Sequence, residues 1–309
     1  MINKIIITGA TGLIGKSICK TLLQQGKEIT IFTRNPDRAN KEVAGATNYV
    51  KWDYNNPDEW KEYLNMNDAV IHLAGANLGA KRWNESYKKI AYDSRVISTQ
   101  NLVEAISAVD EKPKVFICAS AVGFYGDRGD DYLSENEGPA DNYLAKLCAD
   151  WEKEAEKVEN FGVRRVSVRT GLVLSEGEGL LKQMVPAFKL FLGGYLSNGM
   201  QWFPWIHIDD ITEIYLHALD NESSGGGLRG DVNAASPGIV RMKEFANTLG
   251  KVLHRPSLFP IPKFTVKLLK GELGDYVMDS QKVAVNKLLQ GGYKFKFENL
   301  EDALRDLLG

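Results

Sequence analysis

The sequence predicts an α/β protein: a doubly wound parallel sheet with helices on both faces, carrying a smaller, discontinuous α+β lobe. Three observations carry that reading. Short β-branched runs alternate with amphipathic stretches through the first half of the 309 residues, the rhythm of successive strand–helix–strand crossovers. The first strand runs directly into a glycine-spaced turn, Gly9-Ala-Thr-Gly12-Leu-Ile-Gly15. Beyond residue 171 the alternation gives way to loops, isolated helices and one further strand. Residues 1–170, with 205–235 returning to them, are assigned to the sheet-bearing body, and 171–204 with 236–309 to the smaller lobe.

Taken in order, strands are expected at 4–8, 28–33, 47–52, 68–73, 114–119 and 164–170, where apolar and β-branched residues run for five to seven positions. Asp68-Ala-Val-Ile-His-Leu-Ala-Gly75 has the composition of a fully buried strand ending in small residues, where a ligand can come close. Helical spacing occupies 13–25, 57–64, 84–108 and 140–160. Further on, a helix is expected around Leu180–Leu192 and another from Ile206-His-Ile-Asp-Asp210 to about Leu219. Gly230-Asp-Val-Asn-Ala234 reads as a strand, and a helix bounded by prolines lies between Pro237 and Pro262. A basic helical segment, Lys263–Lys270, and a short amphipathic tail, Leu300–Leu308, complete the chain. Ser223-Ser-Gly-Gly-Gly227 is a flexible surface loop, too short to separate bodies.

Composition narrows the partners. A net charge of −2 gives no electrostatic reason to bind nucleic acid or an anionic membrane. The N-terminal apolar run, Ile5 to Ile7, is far too short for a secretory signal or a span. Three scattered cysteines form no disulfide framework and fit a reducing cytoplasm. Four isolated histidines make no ligand pair, so no metal is expected.

A strand, a glycine turn and a helix start in that order make a site for a dinucleotide pyrophosphate. Gly9 permits the turn, Gly12 leaves room for phosphate, and Gly15 lets the helix lie close on the strand. The candidate cradle is Gly9, Thr11, Gly12, Leu13, Ile14 and Gly15, with Leu73, Ala74 and Gly75 at the end of the fourth strand. The second strand ends in Thr33-Arg34, with Arg38 one helical turn on. NAD-selective sites place an acidic residue there for the ribose hydroxyl, whereas arginine suits a 2′-phosphate. NADP (NADPH) is therefore the expected cofactor, with Thr33, Arg34 and Arg38 around its phosphate. Asp53 is a candidate for the adenine amino group or a cap of the following turn.

The chain resembles the extended short-chain dehydrogenase/reductase superfamily, and within it the atypical epimerase-like family often described as NAD-dependent epimerase/dehydratase, sugar nucleotide epimerase-like. The resemblance spans the whole sequence. It rests on the glycine loop, His72-Leu-Ala-Gly75, Ser94-Arg-Val-Ile-Ser-Thr99, Ser120-Ala-Val-Gly-Phe-Tyr-Gly126, Arg169-Thr-Gly-Leu-Val173, Trp205-Ile-His-Ile-Asp-Asp210 and Pro256 through Pro262. It implies a Rossmann-type fold, hydride transfer with a nicotinamide, and a tyrosine acid/base. A lysine four residues after that tyrosine and a Ser or Thr leaving the fifth strand are the customary aids, because a phenol of pKa near ~10 is a weak base at neutral pH.

Several of those positions differ here. Tyr143 fits the tyrosine, but Leu147 stands at i+4, and Lys146 at i+3 lies on the other side of the helix, ~100° away. Ala121 occupies the Ser/Thr position. Ser120 precedes it and points the opposite way in extended backbone. Arg95 replaces the asparagine expected after the fourth strand. The catalytic candidates are thus Tyr143, Ser120 and Tyr125. For a substrate they are Arg95 (anion site or helix ion pair), His207 (titrating group, or a packed histidine bonded to Asp209 or Asp210), and Trp202 and Trp205, which with Phe203 suggest an aromatic wall. Two functions fit: an NADP-dependent oxidoreductase or epimerase-like enzyme on a small oxygenated substrate, or a catalytically silent NADP(H)-binding regulator or redox sensor. The resemblance further implies dimerisation through the helices at 84–108 and 140–160.

Overall fold

The structure, a computed structural model, describes residues 2–65, 67–220 and 227–309. Residues 223–226 of the loop expected at 223–227 lie outside the described residues.

Seven parallel strands form the central sheet: β1 (Lys4–Thr8), β2 (Glu28–Thr33), β3 (Asn48–Lys51), β4 (Ala69–His72), β5 (Val115–Ala121), β6 (Arg164–Thr170) and β7 (Gly230–Ala234). Their spatial order is 3-2-1-4-5-6-7. The chain starts in the middle, winds outward to β3, then crosses back and winds out through β7. Sequence order reverses between β1 and β4, the place where such sheets leave a crevice beyond the carboxyl ends of the strands. Thr8 pairs with Phe32 on one side and His72 on the other, so the ends of β1, β2 and β4 lie side by side at that crevice. Ile5, Ile6 and Ile7 are completely buried, as a strand covered on both faces demands.

Helices α1 (Leu13–Gln24) and α7 (Ile208–Leu219) cover one face with a core around Ile5, Ile7, Ile18, Ile211 and Tyr215. Helices α4 (Ser98–Ala108) and α5 (Tyr143–Glu156) cover the other, over Ile6, Val70, Phe116 and Trp151. The remaining helices are α2 (Pro36–Glu42), α3 (Glu85–Tyr92), α6 (Gly179–Lys189), α8 (Met242–Leu253), α9 (Lys263–Lys270), α10 (Leu273–Tyr276), α11 (Asn286–Gln290) and α12 (Leu300–Leu308). A third core, with Phe188, Phe203, Trp205, Phe245 and Leu304, is built by α6, α8, α12 and the short strands beside them.

Two expected helices take a different form. At 57–64 there are two 3-10 turns, Pro57–Glu59 and Lys61–Leu64. Trp60 interrupts them: it is wholly buried against Phe32, and its indole donates to the Asp53 carbonyl at 2.7 Å, which holds its backbone off the helical geometry. The 84–108 stretch is two α-helices joined by a π-turn, Asp93–Ile97.

Candidate cofactor and active site

The glycine loop is fixed by close backbone contacts. Gly9 has φ +71°, and a side chain there would strike the Leu73 backbone at 2.7 Å. A methyl on Gly15 would lie 2.4 Å from the Gly9 carbonyl oxygen, so α1 can sit this close to β1 only with glycine at that position. Gly12 donates to the Gly9 carbonyl at 3.0 Å and begins α1 with no side-chain cap and no acidic residue in the first turn. The N–H groups of Leu13, Ile14 and Gly15 therefore have no intrahelical acceptor and no carboxylate competing for them. This is a cradle suited to a diphosphate. Thr11 is half-buried beside it.

Thr8 organises the other wall, a role the sequence reading missed. Its hydroxyl oxygen lies 2.7 Å from His72 Nδ1 and accepts from the N–H groups of both Leu73 and Ala74 at 3.1 Å. A lone threonine ending the apolar run Lys4-Ile-Ile-Ile-Thr8 was the available signal. Burial holds the His72 imidazole down at about 3, with Arg95 acting in the same direction. It is a neutral hydrogen-bonding element of the wall.

At the end of β2 the Thr33 hydroxyl accepts from the Asn35 N–H at 3.3 Å and shapes the turn. Arg34 is exposed and makes no ion pair among the described residues. Arg38 is committed to Glu42 at 2.6 Å, four residues on, while Lys16 lies 3.4 Å from the same carboxylate. Of the two arginines, Arg34 alone has no carboxylate partner among the described residues. The Asp53 carboxylate accepts from the Asn55 N–H at 3.0 Å, so it caps the turn.

Ser120 and Tyr125 are buried in a side-chain network. Ser120 donates to Glu152 at 2.6 Å, and Glu152 takes a two-pronged bond from Arg169 at 2.9 and 2.7 Å. Tyr125 donates to Asn233 at 2.7 Å and accepts from Arg169 at 2.9 Å, with its ring wholly buried. Asp231 and Arg165 extend this network toward β7. Burial pushes both the Tyr125 phenol and the Glu152 carboxyl upward, with Arg169 opposing each. These residues lock α5 onto β5 and β6. The reason is the pleat: Ala121 points one way from β5 and Ser120 the other. The three arginines in Arg164-Arg165-Val-Ser-Val-Arg169, an otherwise apolar strand, were the sequence sign of such a network.

Tyr143 begins α5, capped by Asn142, whose side chain accepts from the Ala145 N–H at 2.9 Å. The half-buried phenol donates to the Lys88 carbonyl at 2.7 Å. Its ring meets Trp83 edge-on at 5.6 Å, and the Lys88 ammonium lies 5.3 Å from the ring centre. Burial pushes its pKa upward against the opposing charges of Arg95 and Lys88. The i+4 residue, Leu147, is buried in the core, and Lys146 at i+3 is exposed. A distant segment closes over this end. Lys88 pairs with Glu272 at 2.7 Å, and Tyr276 packs on Trp83 at 5.4 Å.

The expected aromatic wall divides. Trp202 is half-exposed, donates to Asp130 at 2.8 Å and carries Arg241 on its face at 4.0 Å. Trp205 is wholly buried, donating to the Gly238 carbonyl at 2.9 Å, and Phe203 stacks on Phe245 at 4.2 Å. Both belong to the third core, although they lie on two different short strands, Trp202–Phe203 and Trp205–His207. His207 is likewise buried. It caps α7 by accepting from the Asp209 N–H at 3.0 Å, stacks on Phe297 and faces Asp306 at 3.3 Å. Burial lowers its pKa, and Asp209 and Asp306 oppose that. His207, Asp209 and Asp306 present ligand atoms within 4.8 Å of one another, but Lys296 already neutralises Asp209 at 2.6 Å.

A parallel sheet in the order 3-2-1-4-5-6-7, with an uncapped glycine loop at the reversal point, defines a dinucleotide-binding protein of the doubly wound class. The chain belongs to the NAD dependent epimerase/dehydratase family, which it matches over residues 5–235; residues 261–307 match a domain of unknown function, DUF1731. It is 36% identical over 304 residues to the chloroplastic epimerase family protein SDR39U1 homolog of Arabidopsis thaliana, covering 98% of this chain and 86% of that one. It is also 36% identical to epimerase family protein SH2119 of Staphylococcus haemolyticus, with 99% of each chain covered. The crystal structure of human epimerase family protein SDR39U1 (isoform 2) with NADPH superposes with a TM-score of 0.88 at 30% identity, covering 98% of each chain. Among the described residues no helix is long and apolar enough to cross a membrane.

Proposed function

We propose that this protein binds NADP(H) in the crevice between β1 and β4 and transfers hydride to or from a small oxygenated substrate, with Tyr143 as the proton donor. The observation that carries the reading is the uncapped α1 cradle together with an arginine at the end of β2, Arg34, that has no carboxylate partner among the described residues. NADP supplies the hydride-transfer chemistry when bound. Leu13, Ile14 and Gly15 hold the diphosphate through backbone N–H groups, and Arg34 holds the 2′-phosphate. A human relative of similar fold crystallised with NADPH supports the cofactor choice. Tyr143, a phenol kept protonated at neutral pH and pushed further that way by burial, is suited to donating a proton to a carbonyl oxygen as the hydride arrives. To do so its hydroxyl leaves the Lys88 carbonyl. In the working protein, residues 1–170 with 205–235 form the NADP-binding body and 171–204 with 236–309 the substrate lobe.

A second reading, an NADP(H)-binding regulator without turnover, is favoured by one observation. Ser120 and Tyr125 are spent in a buried network, and no lysine follows Tyr143 at the ribose side. Following NADPH absorbance over a panel of small aldehydes, ketones and oxo-acids separates the two. The enzyme reading predicts oxidation that Tyr143→Phe lowers at least ~100-fold, the range of a lost general acid, without changing NADPH affinity. NADPH binding with no oxidation across the panel favours the regulator.

A further inference from the structure

Arg95 packs against Gly75, just past β4, as a cation with no carboxylate partner among the described residues. It sits in the π-turn Asp93–Ile97 between α3 and α4. Such a turn inserts one extra residue and re-aims a side chain, a device common at functional sites. The distortion is stabilised locally: the Arg95 carbonyl accepts from the Ser98 and Thr99 hydroxyls at 3.2 and 2.5 Å. The guanidinium packs onto Gly75, at the exposed end of β4, where any side chain would meet its Cζ at 2.9 Å. On its other side lies the Trp151 ring at 5.4 Å. The guanidinium donates one long bond, 3.3 Å to the Ala91 carbonyl.

The carboxylates close in sequence or on the facing helix are engaged elsewhere. Asp93 pairs with Lys89 at 2.8 Å, Asp150 accepts from Tyr92 at 3.1 Å, and Glu152 and Glu154 hold Arg169 and Lys157. Tyr143 and Cys148 lie near it, and burial raises the pKa of both, so neither supplies a negative charge. A half-buried guanidinium left unpaired costs several kcal/mol unless an anion completes it. The cofactor's own phosphates are already provided with the α1 N-terminus and Arg34, whereas Arg95 stands beside Tyr143.

We propose that Arg95 is an oxyanion receptor that holds the carboxylate or phosphate ester of an anionic substrate next to the Tyr143 hydroxyl. The proposal rests on the NADP(H) reading above and adds the substrate's charge. A planar guanidinium between Gly75 and Trp151 presents its free edge to both oxygens of such a group.

The test uses the NADPH-saturated protein at constant ionic strength, titrated with oxalate and with inorganic phosphate and followed by calorimetry, for wild type, Arg95→Gln and Arg95→Lys. The expected result is that one of the two anions binds the wild type and that Arg95→Gln raises its half-saturating concentration roughly tenfold or more, the size of one lost charge-assisted bond. Arg95→Lys should fall between them. NADPH affinity should stay within about twofold in both variants, and their unliganded melting temperatures report folding. Equal anion binding in wild type and Arg95→Gln, or none in any form, overturns the proposal. A comparable loss of NADPH affinity in Arg95→Gln assigns the guanidinium to the cofactor's diphosphate and overturns it as well. Failure of the wild type to bind NADPH at all defeats the underlying cofactor reading before the anion is added.

Discussion

Arg34 and Ser120 show how one side chain's partners decide its role. Arg34 has none among the described residues, so its charge is available to a ligand; Arg38, held at 2.6 Å by Glu42, is not equivalent to it. Arg34→Asp should therefore weaken NADPH by at least ~10-fold while leaving NADH within about threefold, read by fluorescence titration. Equal losses for both would remove the 2′-phosphate role. Ser120 is the opposite case. Its hydroxyl completes the Glu152 and Arg169 pair, so Ser120→Ala should cost about 1–2 kcal/mol in chemical unfolding and leave NADPH affinity unchanged. At this scale the glycines were legible in sequence because backbone geometry admits few alternatives. Hydrogen-bond partners were not. That Asp53 caps the following turn rests on where the Asn55 N–H lies, which spacing alone leaves open.

At the scale of elements, the parallel strands were readable because burial on both faces demands unbroken apolar runs. The π-turn at Asp93–Ile97 was not, since one inserted residue leaves the helical periodicity on either side intact. Trp60 misled for a related reason: it fits an apolar helical face, yet it is its indole bond to Asp53 that sets the local backbone. Strand docking carries a pH dependence of its own. The Asp68 carboxylate accepts from the N–H groups of Asn3 and Lys4 at 2.8 and 3.0 Å and pairs with Lys114 at 2.8 Å, joining the starts of β1, β4 and β5. Burial opposes ionisation, but Lys114 and the two N–H groups outweigh it and bring the pKa down to about 2. With an ordinary value of about 3.9, the stabilisation is complete above that pH and is lost as pH falls through the folded value. Asp68→Asn should cost about 1–2 kcal/mol near neutral pH, and the gap should narrow by roughly half at about pH 3, measured by urea unfolding. A gap independent of pH would show that the charge is not the source.

Across the whole molecule, contacts distant in sequence join the third core to the sheet. Asp210, buried at the start of α7, accepts from the Tyr293 hydroxyl and from the N–H groups of Lys296 and Phe297, which ties the C-terminal segment to the sheet face. Glu272 and Tyr276 reach Lys88 and Trp83 beside Tyr143. No periodic pattern records pairings of this separation, which is why the surroundings of Tyr143 were the least legible part of the site. Glu272 and Tyr276, from elements that follow β7, thus close over the Tyr143 end of the sheet. A ligand binding there only in the folded state raises the stability of the whole chain by mass action, about 2.7 kcal/mol at a hundredfold excess over Kd.

The central claim is that the crevice between β1 and β4 selects NADP through its glycine cradle and Arg34. Calorimetric titration of the wild-type protein with NADPH and, separately, with NADH tests it most directly. The account predicts that NADPH binds at least ~10-fold more tightly than NADH, the worth of one charge-assisted contact to the 2′-phosphate. Equal affinities, or no binding of either, would contradict it.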